Sequence, residues 1–100
     1  MNNEELLNFG DALMFLQMGS KVARKGWNGK DMWISMTHGR ILDLKVDNIW
    51  TKNVKDVAIA NGGIVEILPY LSMKTVDNKI VIGWLASQTD MLAHDWFVVE

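Results

Sequence analysis

Hydrophobic and polar positions divide the chain into a helical opening and a run of short strands. Phe9, Ala12, Leu13 and Leu16 recur at helical spacing. Asn8 stands where an N-cap belongs, Asp11 falls in the first turn, and Gly19 is a natural left-handed stop, so a helix is expected over residues 8–18. Met14, Phe15 and Met18 widen its apolar face beyond one stripe, which implies contact with a second surface such as another subunit. Lys21-Val22-Ala23-Arg24, an apolar pair between two cations, is expected as a short half-buried strand. A turn-rich loop, Lys25-Gly26-Trp27-Asn28-Gly29-Lys30, joins it to a strand at Met32-Trp33-Ile34-Ser35-Met36, making a hairpin.

Residues 37–63 are less legible. Ile41, Leu42, Leu44, Val46 and Ile49 suggest a strand, and Val57-Ala58-Ile59-Ala60 fits either strand or helix. Beyond them, strands are expected over residues 64–68, 70–75, 79–84 and 96–99, with a turn at Asp77-Asn78. Ser87 followed three residues later by Asp90 marks the start of a short helix before the last strand. The sum is an α+β fold in one domain, residues 1–100, with one N-terminal amphipathic helix packed on a curved antiparallel β-sheet.

Composition narrows what such a domain does. With 49% apolar and 22% charged residues, the 100-residue chain is of the folded, globular class. Five tryptophans exceed what one small core buries, so some should line a pocket or an interface. A net charge of −2 argues against coating a DNA or RNA polymer. The absence of cysteine excludes disulfides and thiolate metal sites. No apolar run approaches the ~20 residues that span a bilayer. These features fit a cytosolic protein.

Charge is distributed unevenly. Lys21, Arg24, Lys25 and Lys30 form a stretch without an acid, while residues 87–100 carry Asp90, Asp95 and Glu100 without a Lys or Arg. The two stretches are suited to face each other across a site. Gln88 and Thr89 place hydrogen-bonding groups near Trp84, an arrangement that suits a polar ligand with a flat face. Asp90 and His94, four residues apart, would share a helix face, but two ligands do not make a metal site. Trp33 and Trp96 lie among strand-like apolar residues and are expected in the core; Trp50 is undecided.

Two longer motifs carry a resemblance. Arg24-Lys25-Gly26-Trp27-Asn28-Gly29-Lys30 is one. The other runs from Leu68-Pro69-Tyr70 through Met73-Lys74-Thr75 to Trp84-Leu85-Ala86-Ser87-Gln88-Thr89-Asp90-Met91-Leu92-Ala93. Over residues 8–34 and 68–99 the chain resembles the small phage proteins of the second Thoeris anti-defence family. That resemblance implies a non-enzymatic sponge in the host bacterial cytoplasm, a homotetramer that binds cyclic ADP-ribose isomers made by TIR-domain sensors and does not cleave them. It implies no cofactor. Some members also hold cyclic oligonucleotides at a second site. The chain departs from the pattern in its middle segment, at Ile82-Gly83 where a proline is expected, and at His94 where an acid is common.

Weighed by their chemistry with the resemblance in view, the ligand-binding candidates are Arg24, Trp27, Asn28, Lys74, Trp84, Ser87, Gln88, Thr89 and Asp90. Trp27, in a glycine-flanked polar loop, is the stacking candidate for adenine; such contacts contribute about 1–3 kcal/mol per base. Arg24, with Lys25 and Lys30, and Lys74 from the second half are candidates for a pyrophosphate. Asn28 either sets the turn or bonds the adenine edge. Trp84 is either core or pocket wall, and Ser87 is first a cap. Asp90 would repel phosphate and is expected on ribose hydroxyls, with Gln88 and Thr89 completing the rim. Two rival readings are a hydrolase of the same nucleotides using Asp90 or His94, and a protein-interaction module built on the surplus indoles.

Overall fold

A computed structural model describes residues 5–27 and 31–100 of the chain. Asn28 and Lys30, named above as candidates, lie outside the described residues. The chain divides into two compact units: residues up to Thr37 together with Tyr70–Glu100, and His38–Pro69.

The larger unit opens with α1 (Phe9–Gln17). Its start is fixed by the Asn8 side chain, which accepts from the Asp11 N–H at 2.8 Å. Gly19, at φ 97°, ends it, and the Ser20 N–H reaches back to the Phe15 carbonyl at 3.0 Å. Ala12 and Leu16, four apart, are fully buried. Met14 and Met18 are exposed, so the apolar face is indeed wider than the sheet covers.

The sheet beneath the helix contains β1 (Lys21–Arg24), β2 (Trp33–Thr37), β5 (Tyr70–Lys74), β6 (Ile80–Ile82) and β7 (Trp96–Val99). Their order is β6-β5-β2-β1-β7, every pairing antiparallel. The 79–84 strand is therefore shorter than expected, because Gly83, at φ 92°, turns the chain away. Asn78, at φ 64°, makes the turn before it. Period-two alternation gives the sheet two unlike faces. Val22, Ile34 and Trp96 point to α1 and form the core with Ala12 and Leu16. Trp33 belongs to the opposite, open face and is only half-buried, whereas the sequence placed it in the core.

The smaller unit contains β3 (Arg40–Asp43), α2 (Lys52–Ala60) and β4 (Ile64–Ile67). Val57–Ala60 is thus helical. Thr51 caps this helix by accepting from the Val54 N–H at 3.2 Å, and Gly62 and Gly63, both at positive φ, follow its end. Leu42, Ile49, Ala58 and Val65 form its core.

Candidate functional site

The two charge-biased stretches meet on the helix side of the larger sheet. Arg24 is the last residue of β1 and lies opposite Trp96 in β7. Just upstream of β7 is α3 (Gln88–Leu92), one turn and a little more. Ser87 and Asp90 form a reciprocal capping box, with the Asp90 N–H donating to Ser87 Oγ at 3.0 Å and the Ser87 N–H to Asp90 Oδ2 at 3.1 Å.

The other oxygen of Asp90 ties this turn to the hairpin loop. Oδ1 accepts from Arg24 Nη1 at 2.7 Å and from the Trp27 indole N–H at 3.2 Å. Arg24 Nε donates to Asp95 Oδ1 at 2.8 Å, and the Gly26 N–H donates to Asp95 Oδ2 at 2.8 Å. One guanidinium thus bridges two carboxylates in a largely water-excluded position.

This geometry fixes ionisation. Burial is the largest influence on the Asp90 carboxyl and pushes it up, but hydrogen bonds from Arg24, Ser87 and Trp27 together carry it below the usual carboxylate range. Asp95 is held low chiefly by its hydrogen bond from Arg24. The same bonds, Asp95 first and then Asp90, raise Arg24 further above its already high value.

Above the ion cluster stand three indoles. The ring centroids of Trp27 and Trp96 are 5.4 Å apart, those of Trp27 and Trp84 6.2 Å, and those of Trp84 and Trp96 6.4 Å, all edge to face. Trp96 is fully buried and donates its N–H to the Asp90 carbonyl at 2.9 Å. Trp27 and Trp84 pack on it and are half-buried. Trp84 therefore packs against the core without being fully buried. Ser87, Gln88 and Thr89 are exposed within a few residues of it in the chain.

Lys74 is not part of this assembly. It pairs with Trp33 in register and shares the open face, whereas Arg24 shares the helix face with Val22. Its ammonium donates to the Asp31 carbonyl at 2.7 Å. Lys74, Lys21, Trp33 and Phe97 line a groove of about 500 Å³ on that face, together with the acids Asp31 and Glu100. His94 also stands apart, since α3 ends at Leu92 and the expected shared helix face with Asp90 does not form. Among the described residues no group of three or more His, Cys, Asp or Glu is placed to hold a metal ion.

Asp95 is the participant that sequence reasoning left without a role. The signal available was the acid-rich C-terminal stretch facing a cation-rich hairpin, which implicated it only as one charge among several.

A family model described as the Thoeris anti-defense 2-like domain matches residues 7–99. The chain belongs to that family. A curated relative named Thoeris anti-defense 2, from Bacillus phage SP01, is 34% identical over 94 residues, covering 94% of this chain and 96% of the relative. In this Thoeris anti-defense 2-like chain the match spans the hairpin, the three-indole cluster and the α3 turn alike. No helix among the described residues is long and apolar enough to cross a membrane.

Proposed function

We propose that this protein counters Thoeris defence as a sponge, binding a cyclic ADP-ribose-type signal and holding it without cleavage. The observation that carries this reading is the paired, half-buried rings of Trp27 and Trp84, held by the protein's own ring packing and, for Trp27, by the Asp90 carboxylate, beside a hydroxyl- and amide-bearing turn. Rings immobilised before binding lose little entropy when a base stacks on them. Sequestration by mass action calls for nanomolar affinity, about −12 kcal/mol, and such preorganised surfaces favour it. Family membership supports the anti-Thoeris role.

Within this reading Trp27 and Trp84 would stack on the base, and Ser87, Gln88 and Thr89 would meet hydroxyls and amide edges. Arg24 and Asp90 would serve by holding that surface, since their charged groups are already matched to each other and to Asp95. The same pairing disfavours a hydrolase that uses Asp90 as its acid. A general acid must carry a proton near neutral pH, and Asp90 is held below the ordinary carboxylate range with three donors on its oxygens. We further propose a homotetramer acting in the host cytoplasm; the exposed apolar residues Met14, Met18, Leu85 and Leu92 supply surface for subunit contacts.

The deciding experiment mixes purified protein with the product of an activated TIR enzyme, removes free nucleotide by filtration, and heats the protein. Recovery of intact signal supports the sponge. A new product would identify a hydrolase, and no retained nucleotide would leave the protein-interaction reading. A parallel incubation with cyclic dinucleotides tests for the second signal class.

A further inference from the structure

We infer that Asp95 is the positioning residue of the Trp27 wall, a clamp that sets where this ring stands without facing the ligand itself. Asp95 lies between α3 and β7 and engages three consecutive residues of the hairpin. Its carboxylate takes Arg24 Nε at 2.8 Å and the Gly26 N–H at 2.8 Å, and its backbone carbonyl takes the Lys25 N–H at 3.0 Å. The next residue is Trp27, whose own N–H turns back to the Arg24 carbonyl at 3.3 Å. Every backbone N–H from Lys25 to Trp27 is therefore fastened to Asp95 or to the residue that Asp95 grips. Asp90 holds the indole from the far side through its N–H. Asp90 anchors the ring and Asp95 anchors the chain that carries it.

Gly26 gives an independent sign that the clamp is closely fitted. A Cβ at this position would stand 2.9 Å from Asp95 Oδ2, closer than such atoms approach, and a tight 3.0 Å from Arg24 Nη2, so these side-chain ends must give way. Gly26 is not at positive φ, so its smallness serves the clamp and not an unusual backbone. Substituting Gly26→Ala consequently displaces the clamp's side chains while removing no charge and no donor.

The test compares Asp95→Asn and Gly26→Ala with wild type, using near-UV circular dichroism in the absence of ligand. Three indoles within about 7 Å of one another couple strongly in that spectrum, and Trp27→Phe supplies the spectrum of a cluster without its loop member. Both variants are expected to keep the far-UV spectrum of the folded protein and to shift towards the Trp27→Phe spectrum. Trypsin is expected to cut faster after Arg24 and Lys25. Wild-type near-UV spectra and cleavage rates in both folded variants would overturn the inference. Where Asp95→Asn does not fold, Gly26→Ala decides alone. Loss of folding in both would also overturn it, by making Asp95 a requirement of the whole sheet. A nucleotide arm rests on the sponge reading and expects about tenfold weaker capture by both variants, as loss of one stacking ring would give. Shifted spectra with unchanged capture would leave the clamp standing and count against Trp27 as a ligand contact.

Discussion

Trp96 donates its indole N–H to the backbone carbonyl of Asp90 at 2.9 Å, while the Asp90 side chain receives Arg24 and Trp27. The fully buried core ring and the polar cluster are therefore joined through one residue. Trp96→Phe keeps most of the buried ring but removes the shorter of two bonds to that carbonyl, the Ala93 N–H remaining at 3.4 Å, which costs about 1 kcal/mol. Trp96→Ala adds a cavity and should cost about 3–5 kcal/mol. Urea denaturation should order the two variants in this way.

Arg24→Lys tests whether fork geometry matters as well as charge. An ammonium is a point donor and cannot serve Asp90 and Asp95 in the planar manner of a guanidinium. Arg24→Ala leaves two carboxylates without their shared cation and should destabilise by about 3 kcal/mol, given their partial burial. Lysine should recover only part of that loss. Equal stability of Arg24→Lys and wild type in thermal unfolding would contradict the fork argument.

Acid should loosen the cluster over a defined range. Asp90 and Asp95 both have folded pKa values below their unfolded ones, so the stability they contribute is full above about pH 4 and lost as pH falls through the lower folded values. Arg24 is raised, and its contribution would fade only at extreme alkaline pH. Asp77, exposed and hydrogen-bonded to Thr75, also titrates low, so the assignment needs a comparison. Unfolding midpoints of wild type should decline more steeply between about pH 4 and pH 2 than those of Asp95→Asn.

Capping at Ser87 can be separated from any ligand role. Ser87→Ala removes the acceptor for the Asp90 N–H and should cost about 1 kcal/mol. Ser87→Asn restores a capping oxygen but changes the hydroxyl offered at the surface. Calorimetric unfolding alongside nucleotide titration should show stability recovered by asparagine; recovery of affinity as well would mean that Ser87 acts only as a cap.

Local sequence determined the elements whose signals are local. Asn8, Gly19, Ser87 and Asp90 each name a cap or a stop, because a cap hydrogen bond spans only a few residues; the 21–24 strand forms as expected, though Val22 and Ala23 are both buried and do not alternate. For α2 the four-residue apolar run at 57–60 carries no period long enough to separate helix from strand, and the Thr51 cap is evident only in the structure. The charge asymmetry pointed to the hairpin and the C-terminal turn as neighbours; Arg24 does meet Asp90 and Asp95, but in direct ion pairs and not across a site, and Lys21 lies on the other face.

Register belonged to the tertiary structure alone. Strand pairing sends Arg24 to the helix face and Lys74 to the open face, a separation that hydropathy cannot give because both residues are polar. It likewise leaves Trp33 half-buried and Trp96 fully buried, though both stand in similar apolar runs. Asp95 acquires its clamp from atoms of residues about seventy positions earlier, and no short-range pattern encodes a contact across that distance.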